Sequence, residues 1–285
     1  MCTFAQLRKQ RNYKGINFFR LRWMTLVKPK KALGQHFLKD LDIAARIAQT
    51  LDAWKSLPVL EIGPGMGVLT RFLLDYGHDL KVVELDRESV AYLGQHFPEL
   101  DGRILGVDFL TLKLDEMFDK PFSVIGNYPY NISSQIIFKV LEYKDLIPCC
   151  SGMFQKEVAE RLASKPGKKA YGILSVLLQA YYDIEYLFTV DEHVFEPPPK
   201  VKSAVIRITR NQTKSLDCDE VLFKRVIKTG FNQRRKTLRN SLKPLIGNDC
   251  PICTDPIFNL RPEQLSVEQF VKLTNMVSPF VGELG

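Results

Sequence analysis

The chain lacks any apolar stretch near the ~20 residues that a helical membrane span requires. No secretory signal is legible, because no apolar run follows the first charges. Cysteine is sparse, with six residues (Cys2, Cys149, Cys150, Cys218, Cys250 and Cys253) in 285. Without a signal they read as reduced thiols in a cytoplasm, not as a disulfide framework. Cys250-Pro-Ile-Cys253 has the spacing of half a zinc knuckle. No second Cys or His pair lies nearby, so no metal is expected. Repeats and low-complexity segments are absent too. A chain that is 45% hydrophobic and 25% charged is neither disordered nor collagen-like, and its length allows one large domain or a medium one plus a small one.

Acidic residues are missing from two places. Residues 1–23 carry Arg8, Lys9, Arg11, Lys14, Arg20 and Arg22 and no acid, and residues 224–243 carry eight bases and no acid. The formal charge of +8 therefore comes from two blocks on a slightly acidic body. Met24 opens a readable start, so residues 1–23 fit an RNA-binding tail, a targeting peptide or upstream codons, the last being favoured. The second block is too one-sided for an ordinary solvated face, where signs mix. It suits phosphate contacts that position RNA without reading sequence.

From residue 41 helix-type and strand-type patterns alternate: Leu41–Ala53 helix, Pro58–Ile62 strand, Val68–Tyr76 helix, Leu80–Leu85 strand, Glu88–Phe97 helix, Arg103–Val107 and Phe122–Gly126 strands, Ile132–Tyr143 helix and Ile147–Phe154 strand. This predicts a mostly parallel sheet with helices on both faces, its ligand site beyond the carboxyl ends of the strands. After residue 170, Leu174–Tyr181 reads as a helix and Asp183–Thr189 and Ala204–Thr209 as strands. Glu220–Gly230, Gln233–Leu242 and Ser266–Val277 read as helices. The expected organisation is a basic extension (1–23), a Rossmann-like α/β domain (24–212) and a small helical domain (213–285).

Glu61-Ile-Gly63-Pro-Gly65-Met-Gly67 follows the first strand. Position 68 is Val, so the dinucleotide fingerprint Gly-x-Gly-x-x-Gly is broken. Glu84 ends the second strand, where a carboxylate can accept from both ribose hydroxyls. Asp108 and Phe109 end the third, where an acid can take an adenine amine and a ring can cover the base. A tight strand–helix turn is the lesser reading of the glycine loop alone, whereas Glu84 or Asp108 alone reads as a solvated strand-end acid. Together they point to an adenosyl cofactor without a pyrophosphate, S-adenosyl-L-methionine.

The fourth strand runs into Asn127-Tyr-Pro-Tyr130. An adenine amine is a poor nucleophile, and methylating it needs acceptors for its N–H groups. The Asn127 side chain and the Tyr128 carbonyl can supply two, because Pro129 holds the preceding residue extended. Tyr130 can stack on the base. An Asx-Pro turn is the plainer reading of the tetrapeptide alone, but its place after the glycine loop favours the chemical one.

On these residues the chain resembles the ribosomal RNA adenine N6,N6-dimethyltransferases, and within them the bacterial small-subunit type. The resemblance runs from about Lys31 to Leu242. It includes Gly34-Gln-His-Phe-Leu38, the glycine loop, Glu84-Leu-Asp86, Asn127–Ser133, Gln155–Val158, Lys169–Gly172, Phe195–Val201, Phe231–Thr237 and Arg239–Leu242. The later segments are the specific ones.

The resemblance implies that His36 and Leu38 line the methionine end of the cofactor pocket. Gly63 and Gly65 lie along the cofactor, Glu84 on its ribose, and Asp108 with Phe109 on its adenine. Asn127 holds the target amine, with Tyr130 and Phe195 sandwiching the base. Arg234, Arg235, Lys236 and Arg239 contact RNA. The implied activity is dimethylation of two adjacent adenines near the 3′ end of 16S rRNA within the small ribosomal subunit. The implied enzyme is a cytoplasmic monomer. Two positions depart from the family's habit: His36, where Asn is usual, and Tyr128, where Leu is commoner. The large-subunit antibiotic-resistance dimethyltransferases, DNA adenine methyltransferases and a purely RNA-binding assembly factor are the alternatives.

Overall fold

The computed structural model describes residues 27–281 apart from 31, 32 and 249, so the basic segment 1–23 and its three readings lie outside the described residues. The first half contains β1 (Phe37–Leu38), α1 (Leu41–Gln49), β2 (Val59–Ile62), α2 (Val68–Asp75), β3 (Leu80–Val83), α3 (Arg87–His96), β4 (Ile104–Leu105), α4 (Leu114–Met117), β5 (Ser123–Asn127), α5 (Ser133–Glu142) and β6 (Cys149–Gln155). The second half adds α6 (Lys156–Leu162), α7 (Ile173–Gln179), β7 (Tyr182–Val190), β8 (Phe195–Glu196), β9 (Ser203–Arg210), α8 (Glu220–Asn232), α9 (Leu238–Ser241), α10 (Lys243–Ile246) and α11 (Val267–Val277).

Seven strands form one sheet in the order β4-β3-β2-β5-β6-β9-β7. The first five are parallel, and β9 and β7 close the far edge antiparallel. Every residue of β2 is buried, as a strand covered on both faces requires. Val59, Val82 and Ile125 enter one apolar cluster with α1 and α2. Leu60, Ile62 and Val124 enter the other with α5 and α7. From β2 the chain moves outward to β3 and β4, then returns to lay β5 on the opposite side. The carboxyl ends of β2, β3 and β5 therefore surround a topological switch point, where such sheets bind ligands.

The expected helix over Leu41–Ala53 stops at Gln49, and the chain tightens into a short 3₁₀ turn at Asp52–Trp54. The strand expected at Arg103–Val107 is only two residues long. The pair β1–β8, with Leu38 opposite Phe195, carries no periodic signal at two residues a side.

Beyond residue 213 the described residues form helices and 3₁₀ turns and no strand. The apolar cluster nevertheless runs without a break from the sheet through Leu177 and Tyr181 to Phe223, Ile227 and Phe270. The architecture changes there while the core continues. One helix is a correction: Gln233–Leu242 is not continuous. α8 ends at Asn232, residues 233–237 turn through i−3 hydrogen bonds, and α9 begins at Leu238. Leu238 is fully buried beside Gly230, and its N–H donates to the Leu260 carbonyl at 2.8 Å. A straight helix would not have satisfied both.

Candidate active site

A cleft of about 1160 Å³, its mouth included, opens at the switch point. Nine of the expected residues line it: His36, Leu38, Gly63, Gly65, Glu84, Asp108, Phe109, Asn127 and Tyr130. They come from the ends of four strands and from the segment that crosses the cleft before α1.

The glycine loop closes tightly. Gly65 has φ +56°, and a Cβ there would meet the Phe37 ring at 2.9 Å. Gly67 has φ +76°, and a Cβ there would strike the Phe97 ring at 2.4 Å. The Gly65 N–H donates to Glu84 Oε2 at 3.0 Å, and the Asp86 N–H donates to Oε1 at 2.9 Å. Each oxygen keeps further lone-pair capacity, enough for a vicinal diol. Burial pushes the Glu84 carboxyl upward, against the Asp86 and Gly65 N–H groups. Behind the loop, burial pushes Glu61 up to about 8, against the Thr70 hydroxyl that donates to it at 2.7 Å, while the Glu84 charge adds to the rise. The Glu84 carboxyl, held by two N–H groups at one end of the cleft, suits a ligand that carries a ribose. Asp108 accepts from the Leu110 N–H at 2.9 Å, which orients its carboxylate. Phe109 is buried beneath the cleft wall.

At the other end, the Asn127 Nδ2 donates to the His36 carbonyl at 3.1 Å. This sets the amide so that its oxygen is the atom left for a ligand. No described residue donates to the Tyr128 carbonyl. The Tyr128 ring points away from the cleft into the sheet, with its hydroxyl donating to the Ser151 carbonyl at 2.7 Å. Room for it exists because Gly126 and Gly152 face each other across β5 and β6. A Cβ on Gly152 would lie 2.2 Å from the Gly126 carbonyl and 2.7 Å from that ring. The departure at position 128 is thus matched within the sheet. Tyr130 is anchored by its hydroxyl to Ser203.

Phe195 requires a correction. Its ring has no exposed surface and is absent from the cleft wall. β8 pairs with β1, which seats Phe195 opposite Leu38 inside an apolar cluster. As placed, it cannot stack on a base. The ring that lies on Tyr130 is His36, with centroids 5.4 Å apart, and its Nδ1 donates to the Pro197 carbonyl at 2.7 Å. Position 36 therefore offers both its carbonyl and its imidazole.

Sequence reasoning also missed the fastenings. Lys30 pairs with Asp86 and with Glu88, the latter at 3.0 Å. The Lys30 N–H donates to Gln35 at 2.8 Å, and Gln35 donates to Asp86 at 3.4 Å. Together they clamp the segment before β1 to the start of α3. Lys139 on α5 reaches the turn after Asp108. Neither network has a periodic or motif signal; the only trace was Asp86 beside Glu84.

The acid-free block is spread over α8, the turn, α9 and the first residue of α10. Lys224, Arg225, Lys228, Arg235, Lys236, Arg239 and Lys243 are exposed. The turn places Arg234–Lys236 on a corner, not along a helix. Arg234 is half-buried, 3.9 Å from Glu263, and Arg239 donates to the Cys253 carbonyl at 2.9 Å and to Asn259 at 3.2 Å. The side chains of Arg235 and Lys236 are exposed and make no hydrogen bond or ion pair with a described residue, so of the four they are the ones presented outward. Among the described residues no group of His, Cys, Asp or Glu is arranged to hold a metal ion, and no helix is long and apolar enough to cross a membrane.

Residues 27–277 match the family described as ribosomal RNA adenine dimethylase. The chain is 75% identical over 251 residues to the ribosomal RNA small subunit methyltransferase A of Parabacteroides distasonis, covering 88% of this chain and 94% of that protein. The same-named protein of Bacteroides thetaiotaomicron is 68% identical over 255 residues, covering 89% and 96%. Among solved structures, a dimethyladenosine transferase from Plasmodium falciparum superposes with a TM-score of 0.69 at 25% identity, covering 85% of this chain and 98% of that one. The 23S rRNA methyltransferase ErmE superposes with a TM-score of 0.63 at 27% identity, covering 85% and 99%. A Rossmann-like methyltransferase sheet, a cleft at its switch point and a matched length of this extent lead to one conclusion: the chain belongs to the ribosomal RNA adenine dimethylase family and is an S-adenosylmethionine-dependent rRNA adenine dimethyltransferase.

Proposed function

We propose that the substrate is 16S rRNA within the small ribosomal subunit, and that the enzyme dimethylates the N6 amines of two adjacent adenines near its 3′ end. High identity to relatives named for the small subunit supports this over the 23S reading, whose structural relative is only 27% identical. The observation that carries the chemistry is the fixed amide of Asn127, whose Nδ2 is spent on the His36 carbonyl. Its oxygen and the Tyr128 carbonyl accept the two N–H bonds of the target amine. That draws its lone pair out of conjugation. Tyr130 stacks on the base, a contact worth roughly 1–3 kcal/mol.

Glu84 holds the ribose of S-adenosylmethionine, Asp108 and Phe109 its adenine, and Gly63, Gly65, Leu38 and the His36 backbone lie along it. When bound, the cofactor supplies an electrophilic methyl group on a sulfonium. The protein's own part is alignment at about 3–3.5 Å and exclusion of water. Residues 213–285 serve as the RNA-facing part, with Arg235 and Lys236 foremost and Arg234 and Arg239 largely occupied in holding the corner. The enzyme works as a cytoplasmic monomer on a partly assembled particle.

The test is to incubate the protein and labelled S-adenosylmethionine with immature small subunits, large subunits, free RNA and DNA. Label recovered as dimethyladenosine near the 3′ end of 16S rRNA is expected. Label on the large subunit or DNA alone overturns the assignment.

A further inference from the structure

Lys139 is a buried cation without a carboxylate bonded to it. It lies on α5 with 7% of its surface exposed, and no described acid forms an ion pair with it. Its ammonium donates to the Leu110 carbonyl at 2.9 Å and to the Leu112 carbonyl. It lies 5.5 Å from the centre of the Phe109 ring and 5.8 Å from that of Tyr143. Burial pushes its ionisation downward, while the charges of Glu142 and Asp108 oppose that. Taking a cation out of water for two neutral carbonyls is costly, and an apolar side chain would fill the space more cheaply. What the ammonium accomplishes is local: both carbonyls belong to the single turn that carries Asp108 and Phe109.

Besides Lys139, that turn is held by Phe109, buried in the apolar core with Leu110 and Leu112 packed against it, and by the Thr111 hydroxyl, which donates to the Asp108 carbonyl at 2.9 Å. Its 3₁₀ helix is three residues long, Phe109–Thr111, capped at its start by the Asp108 carboxylate. Its other end opens to the carbonyls that Lys139 takes. The preceding Val107 is 40% exposed, so the approach to the turn is not clamped by packing.

We propose that Lys139 is a positioning residue for the adenine end of the cofactor site: by fastening the Leu110 and Leu112 carbonyls and backing the Phe109 ring, it fixes where Asp108 and Phe109 meet the base. This rests on the assignment of Asp108 and Phe109 to the adenine. A turn held at both ends presents its carboxylate to the 6-amino group at one distance. Without the ammonium the Leu110 and Leu112 carbonyls lose their side-chain donor, the turn samples several distances, and selectivity for the amino group falls.

The experiment measures Kd for S-adenosyl-L-homocysteine and for S-inosyl-L-homocysteine, its 6-oxo counterpart, with the full-length wild-type chain and with Lys139→Met, Lys139→Arg and Asp108→Asn. Wild type is expected to prefer the adenosyl compound. Lys139→Met should weaken its binding roughly ten- to hundredfold, the range for losing hydrogen bonds to a charged group, and weaken the inosyl compound much less. Lys139→Arg, which keeps the charge, should retain most of the preference. An equal loss for both compounds, or no loss, in Lys139→Met overturns the proposal, since a merely structural role would not discriminate between them. If Asp108→Asn erases the preference and Lys139→Met keeps it, the adenine assignment stands and the role of Lys139 falls. If Asp108→Asn also keeps it, both fall. Should the Met variant not fold, Lys139→Gln and Lys139→Arg are compared by the same ratio. Equal ratios in those two overturn the proposal.

Discussion

Asn127 and Glu61 show how much one side chain's surroundings decide. The amide of Asn127 is oriented by a backbone carbonyl 91 residues earlier, which leaves its oxygen preorganised for the amine it is proposed to hold. Replacing it by alanine removes an acceptor needed only as the nitrogen pyramidalises. Asn127→Ala should lower methyl transfer by about 10²-fold or more, judged by the loss of one preorganised group elsewhere. Subunit binding, measured by co-sedimentation, should stay near wild type. Near-normal turnover would remove Asn127 from its role.

Glu61 concerns pH. Its ordinary value near 4.5 rises to about 8 on burial, so between those limits the folded state binds a proton that the unfolded state has released. The contribution of Glu61 to stability therefore falls as pH rises through that window. Glu61→Gln abolishes the slope. Without cofactor, the Tm of wild type should drop relative to that of Glu61→Gln from pH 5 to pH 8. Parallel Tm curves would disprove the raised value. A bound cation beside Glu61 should flatten the wild-type curve.

At the scale of elements, the opposed glycines of β5 and β6 are as consequential as any polar group. Gly152 has φ +146°, and the Gly126 carbonyl leaves no space for a methyl group. Gly152→Ala must shift either strand β5 or the Tyr128 ring, at a cost of about 1–3 kcal/mol for overpacking and more for the backbone. With the Tyr128 carbonyl as the proposed second acceptor, kcat should fall more than stability alone explains. Urea unfolding paired with turnover at saturating subunit checks both. An unchanged Cm would show that the pair tolerates a side chain.

The same elements show what a sequence conceals. The glycine loop, Glu84, Asp108 and Asn127 were legible because each ends a strand whose apolar run is local. Phe195 was misplaced because its burial depends on a two-residue pairing with β1. The helix assigned to residues 233–242 failed because Leu238 is drawn to a partner 22 residues away, which periodicity does not register.

Across the whole molecule, the charge is divided from the chemistry. The cleft is lined by Glu61, Glu84 and Asp108, whereas the exposed bases gather on α8, the following turn and α9. The basic surface and the cleft thus lie on different parts of the chain, joined by an apolar cluster that runs from the sheet into the helices. Neutralising Arg235 and Lys236 to Gln should weaken subunit binding at every salt concentration. It should also reduce the slope of log K against log salt by roughly one unit per residue. Methyl transfer at saturating subunit should change little. An unaltered slope would place the RNA elsewhere.

The linear chain alone determined the class of fold, the glycine loop and most of the residues that line the cleft, because alternation, glycine spacing and strand-end acids are local properties of neighbouring residues. Tertiary structure decided the rest. It turned the Asn127 oxygen outward, buried Phe195, set the His36 imidazole on Tyr130 and brought Lys139 to the turn that carries Asp108 and Phe109. Each of those depends on a hydrogen bond or contact between segments far apart in sequence, and such pairings exist only once the sheet has closed around its two cores.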